Sequence, residues 1–278
     1  DLGRADRLTE PEPVALGFLP YTFSGKLIQK GEQLTLKVYG ESPAYWEFAM
    51  SEKGSVDDVS SLLKRGAIRL MQKIDPYLVA VYHFREESPA SGYPETKAAI
   101  DHCFTYAPRR ELPWVYALLG DVLRREGRYE DAVIKFRQAL LLNPSFPRPM
   151  MRWGNALADQ GRHEEAIGRY KKTLEIAPIY PEALVYWADS LEALGQHEEA
   201  HRKYEEALAM DPEFPRIVFA YGKYLAKKGE KARAAEYMHQ AVELDGGKNK
   251  SYVAALRKVQ SEIDPVLGEI AQAGAKSQ

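Results

Sequence analysis

Small and apolar residues recur along the chain with a stride of 34 residues from Pro113 to Lys248. Four segments align without a gap: Pro113–Phe146, Pro147–Tyr180, Pro181–Phe214 and Pro215–Lys248. Within each, apolar residues return at three- and four-residue intervals, which predicts a pair of amphipathic helices. The eighth position holds Gly120, Gly154, Ala188 and Gly222, and the twentieth holds Ala132, Ala166, Ala200 and Ala234. Two antiparallel helices approach closely only where side chains are small, so these positions mark the crossing of each pair. Larger residues surround it: Leu119, Trp153, Trp187 and Tyr221 at position seven, then Leu123, Leu157, Leu191 and Leu225 at eleven. Phe136, Tyr170, Tyr204 and Met238 do the same from the second helix. Gly127, Gly161, Gly195 and Gly229 supply the left-handed residue that ends each first helix. Pro144, Pro178 and Pro212 stop the second helix.

Outside this array the pattern changes. Asn249–Ala271 is amphipathic, with Tyr252, Leu256, Val259 and Ile263 at helical spacing and a break at Pro265. It is expected to cover the last open face of the array, as solenoids require. Upstream, Ser60–Ile74, Pro76–Glu86 and Thr96–Tyr106 read as helices, the last two as a degenerate pair joined by the loop Ser88–Tyr93. The first residues instead alternate with period two in Gln33–Tyr39 and Tyr45–Met50, after an apolar stretch at Val14–Phe23. That suggests a small three-stranded sheet or an extended arm. The chain thus divides into an extension with short strands (1–55), helices with a degenerate repeat (56–112), the four-repeat array (113–248), and a capping helix with a tail (249–278).

The period and its six spaced positions resemble the tetratricopeptide repeat. The resemblance implies an all-α fold, a right-handed superhelix of stacked hairpins, here with a small β-containing N-terminal extension. It also implies a concave groove lined by the first helices, where peptide ligands of the family lie. The matching positions include Trp114, Asp121, Arg124, Arg148, Met151, Arg152, Asn155, Tyr186, Asp189, Arg216, Phe219 and Lys223. This lining mixes aromatic anchors with both signs of charge. One subfamily clamps the carboxylate end of chaperones with five polar or basic residues. Here that set falls on Ala117, Asp121, Arg152, Glu182 and Tyr186, or, one repeat on, on Met151, Asn155, Tyr186, Arg216 and Ala220. In the second register only Asn155 matches outright and Arg216 only in charge, so the clamp is poorly supported.

Charge and chemistry narrow the reading further. With 38 Lys+Arg against 40 Asp+Glu, the formal charge is −2, which argues against nucleic acid as the partner. The third repeat carries net −7 and the fourth net +3, so copies of the chain could also pair. A lone cysteine, Cys103, excludes an internal disulfide framework and reads as a buried structural thiol. No stretch is long and apolar enough to span a membrane. The chain starts at Asp1, so a removed anchor is open, and the compartment is left between cytoplasm and periplasm. His197-Glu198-Glu199-Ala200-His201 matches the HExxH pattern of zinc proteases. The preceding repeat reads His163-Glu164-Glu165-Ala166-Ile167 in the same register, so the repeat itself accounts for the match. No phosphate-binding loop or nucleophile motif is present, and neither a metal nor a cofactor is expected.

Three readings follow. The first is a non-enzymatic scaffold that binds a peptide or helix in the groove. The second is a self-assembling scaffold whose aromatic arm (Phe18, Tyr21, Phe23, Trp46, Phe48) fills a groove of its own or of a neighbour. The third, with least support, is a zinc hydrolase acting through the HEEAH stretch.

Overall fold

The computed structural model describes residues 22–42 and 46–263. The chain divides into two compact units between Val115 and Tyr116. In the first, three antiparallel strands, β1 (Thr22–Lys30), β2 (Gln33–Ser42) and β3 (Trp46–Ser55), form a meander in the order β1-β2-β3. The alternation read in Gln33–Tyr39 and Tyr45–Met50 falls in β2 and β3. The first described strand is Thr22–Lys30, and the apolar stretch read as Val14–Phe23 lies, up to Tyr21, outside the described residues. Cross-strand pairing across the Gly31-Glu32 turn defines this strand, placing Leu27 opposite Leu36, and its own sequence does not alternate cleanly.

Helix α1 (Val59–Ile74) packs on β2 and β3. Arg65 donates to the Lys53 carbonyl at 3.1 Å, Arg69 pairs with Glu52, and Leu62 is fully buried. Asp75 ends α1 and caps α2 (Pro76–Glu86), its carboxylate accepting from the Leu78 N–H at 3.0 Å. Helix α3 (Pro94–Tyr106) packs on α2 but starts after Tyr93, which has φ 55° and gives no side-chain cap. Glu87 supplies the cap from a distance. Its carboxylate accepts from the Glu95 and Thr96 N–H groups at 2.9 Å each and from the Thr96 hydroxyl at 2.6 Å. Burial works against its charge, yet these three donors hold its pKa below the ordinary carboxylate value. Cys103 is buried on α3, and burial, aided by Asp75 and Glu111, pushes its thiol up to about 12.

Helix α4 (Leu112–Arg125) runs across the division between the units. From there the second unit is a solenoid of hairpins: α4 with α5 (Tyr129–Leu142), α6 (Pro147–Asp159) with α7 (His163–Ile176), α8 (Pro181–Ala193) with α9 (His197–Met210), and α10 (Pro215–Lys227) with α11 (Lys231–Leu244). The glycine between the helices of each pair has φ between 75° and 85°. At Gly161 the Arg162 N–H returns to the Leu157 carbonyl at 2.9 Å, satisfying a carbonyl the helix end would leave open. The crossing depends on position eight. A Cβ on Gly154 would stand 2.5 Å from the Tyr170 ring, and one on Gly120 2.5 Å from the Phe136 ring. Each ring therefore lies on bare backbone and is almost wholly buried, worth about 1.5–3 kcal/mol of apolar transfer. Helix α12 (Lys250–Ile263) closes the array, burying Leu256 and Val259 in the core shared with α6 to α11.

Candidate functional site

The first helices of the hairpins form an inner row, in which α6 touches α8 and α8 touches α10. The side chains this row presents are fixed from behind by position 24 of the second helices. Tyr170 on α7 donates its hydroxyl to Asn155 Oδ1 at 3.0 Å, and Tyr204 on α9 donates to Asp189 Oδ1 at 2.5 Å. Burial raises both phenol pKa values, so the hydroxyls stay protonated and act as donors. The first hairpin has Phe136 at this position, with no hydroxyl to offer. There the buried Asp121 is held by the next inner helix instead, with Arg152 Nε at 3.5 Å and Arg148 Nη2 at 3.8 Å. In the last hairpin the position is Met238, and its counterpart Lys223 is exposed, with Nζ 5.9 Å from the Phe219 ring.

A cavity of about 260 Å³ opens on this row, lined by Arg124, Asn155, Asp159, Tyr186 and Asp189, with Tyr170, Ser190, Ala158 and His163 behind. Arg124 and Asp159 close one side as an ion pair at 2.5 Å. Tyr186 forms a wall, its ring stacked on Tyr170 with centroids 6.1 Å apart. The Arg216 guanidinium lies over the Tyr186 ring at 4.5 Å. Burial and the charge of Arg152 hold the Arg216 pKa below its ordinary value.

The structure thus brings together Asp121, Arg124, Arg148, Arg152, Asn155, Tyr186, Asp189 and Arg216. Met151 differs: it is 2 % exposed and belongs to the core, because its turn of α6 faces α8. Phe219 is half-buried and stacked on Tyr252 of α12 at 4.1 Å, so the terminal helix already uses its face. Trp114 belongs to the first unit, where its ring lies 6.3 Å from Tyr77. Phe18 and Tyr21 of the aromatic arm lie outside the described residues. Sequence reasoning missed Tyr170 and Ser190 as parts of the site. The available signal was the pairing of tyrosine at position 24 with Asn or Asp at position nine in the second and third repeats, which the first repeat, with Asp121 and Phe136, does not share.

The HEEAH stretch opens α9. His197 Nδ1 is 2.8 Å from Glu192 Oε1, while His201 stacks on Tyr221 and Tyr224 at 6.0 and 5.5 Å and faces Glu205 at 3.3 Å. Both rings are engaged in contacts within and between hairpins. Among the described residues no three His, Cys, Asp or Glu side chains group as metal ligands, and no helix is long and apolar enough to cross a membrane.

A family-model comparison agrees with this architecture. The tetratricopeptide repeat model matches residues 118–181 and 187–249. No curated protein matches the chain in sequence. Among solved structures, a thermophilic tetratricopeptide protein of Thermus thermophilus is 21 % identical, with 55 % of this chain and 83 % of that one covered and a TM-score of 0.49. MamA of Desulfovibrio magneticus RS-1 is 21 % identical over 60 % of this chain and 94 % of its own, with a TM-score of 0.44. The Sgt2 tetratricopeptide domain of Aspergillus fumigatus is 26 % identical over 43 % and 80 %, with a TM-score of 0.40. With the 34-residue period, the small residues under each ring and the glycine-terminated first helices all in place, the array from Pro113 to Lys248 is built of tetratricopeptide repeats.

Proposed function

We propose that the chain is a non-enzymatic scaffold whose inner helix row holds an extended or helical segment of another protein. The observation that carries this reading is the cavity on α6 and α8, where an aromatic wall adjoins charged and amide groups whose positions the second helices fix from behind. Such a surface meets two needs of polypeptide recognition. Tyr186 offers a rigid apolar face, and Asn155, its Oδ1 already engaged by Tyr170, keeps its amide nitrogen for a backbone carbonyl. The ion pairs along the row fix register more than they add affinity.

The test uses short peptides selected from a random library on the full chain. A benzophenone amino acid replaces Lys223, which is exposed on inner helix α10, or Arg202, which is exposed on outer helix α9. Selected peptides are expected to crosslink from position 223 and not from 202. Crosslinking confined to 202 would refute the inner-row reading.

A further inference from the structure

Four arginines, from the first, second and fourth repeats, converge on the inner row: Arg124, Arg148, Arg152 and Arg216. Their carboxylate partners do not match them one for one. Arg124 is paired with Asp159, while Arg148 and Arg152 share the single carboxylate of Asp121. Among the described residues Arg216 makes no ion pair and no hydrogen bond. Glu182 lies within electrostatic range of it, outside ion-pair distance, and the Arg216 guanidinium lies over the Tyr186 ring. A planar guanidinium lying on an aromatic face keeps its N–H edge free, and that edge fits a carboxylate through two parallel hydrogen bonds. Arg152 lies in electrostatic range of the same group, and the Tyr180 hydroxyl senses Arg148, Arg152 and Arg216 together.

We propose that Arg216, stacked on Tyr186 with Arg152 nearby, is a subsite for one acidic side chain, Asp or Glu, of the bound polypeptide. This rests on the inner row being the polypeptide site and adds to it a chemical preference at one position. The repulsion between Arg152 and Arg216 is present in the free protein and relieved when the carboxylate arrives. That repulsion weighs against the free chain and is lifted on binding. This differs from an internal ion pair, which would be worth most in the free protein.

The test starts with the melting temperature of R216Q in the full chain. It is expected to equal or exceed that of the wild type, since a half-buried unpaired charge is lost. Peptides selected on the wild type are expected to carry Asp or Glu at one fixed position. Changing that residue to its amide should weaken binding at least about tenfold. In R216Q, acid and amide should bind alike. Amidating the peptide C-terminus should change nothing, whereas a loss on amidation would place a chain-end carboxylate there and overturn the side-chain assignment. Selected peptides without acidic preference, or with a preference that survives R216Q, overturn the subsite and leave the inner-row reading standing. If no peptide is selected, glutarate is titrated while the Arg216 Nε–Hε resonance is followed. A saturable shift then supports the carboxylate subsite while the polypeptide reading fails, and no shift overturns both.

Discussion

Two glycines in adjacent helices of one hairpin separate the causes of stability in this array. Gly154 lies at the crossing of α6 and α7, where an added Cβ would meet Tyr170 Cε1 at 2.5 Å, Cδ1 at 2.9 Å and Cζ at 3.0 Å. Gly168, in the middle of α7, would meet nothing within 4 Å. Alanine at either site gains about 1 kcal/mol of helix propensity. At Gly168 nothing opposes that gain, so G168A should stabilise by about 1 kcal/mol. At Gly154 carbon contacts need about 3.5–4.0 Å, so the ring must shift by about 1 Å. That overpacking costs about 1–3 kcal/mol. The shift also stretches the 3.0 Å bond from Tyr170 to Asn155, which is worth about 1 kcal/mol. The net for G154A is a loss of about 1–3 kcal/mol, and the two variants should differ by about 2–4 kcal/mol. For a unit of this size that corresponds to roughly 4–16 °C between their melting temperatures. Thermal unfolding followed by circular dichroism measures both. A G154A protein that melts at or above the wild type would refute the claim that ring-on-backbone contact sets the hairpin spacing.

Two further predictions concern the first unit. E87Q should destabilise by about 1–2 kcal/mol at neutral pH, as loss of a helix cap does. Because the folded pKa of Glu87 lies below its unfolded value, that contribution is present above the ordinary carboxylate pKa and fades as pH falls through the folded one. Urea melts of wild type and E87Q should therefore converge in acid, and a constant gap would exclude the charged cap. Cys103, fully buried with its thiol pushed up to about 12, should react with Ellman's reagent at mildly alkaline pH only at the rate of opening of the fold. Prompt stoichiometric labelling of the folded protein would contradict its burial.

The array was legible in the sequence because its crossing requires one residue size at one position in every hairpin. Gly120, Gly154, Ala188 and Gly222 lie under Phe136, Tyr170, Tyr204 and Met238, and the glycines ending the first helices have the left-handed backbone expected of them. Helix α2 begins and ends where Pro76 and the following polar run place it. Strand β1 was not legible, since its partner across the turn defines it. Neither was the cap by Glu87, which joins residues eight and nine positions apart through the unusual Tyr93 backbone. At the site, the positions were legible and their occupancy was not. Pattern alone could not show that Met151 turns to the core, that Tyr252 covers Phe219, or that Arg216 lacks an anion. Those facts depend on contacts between repeats, and the stride encodes only contacts within one.

The residue at position 24 links hairpin stability to the inner face, and one substitution exposes the link. Tyr170 and Tyr204 each reach the residue fifteen positions earlier. Phe136 stands in the same relation to Asp121, whose Oδ1 has no hydrogen bond and only the 3.5 Å approach of Arg152. In F136Y the added hydroxyl should donate to that carboxylate, gaining up to about 1 kcal/mol while keeping the ring on Gly120. Asp121 would then draw less on Arg148 and Arg152, and both would be freer to face a bound acidic residue. F136Y should therefore bind an acidic selected peptide more tightly than the wild type and should not melt lower. Calorimetric titration and thermal melting read the two effects separately. A clear drop in melting temperature would show that the first hairpin has no room for the hydroxyl. Unchanged affinity in a stable F136Y would show that the hold of Asp121 on its arginines does not limit what the inner row can bind.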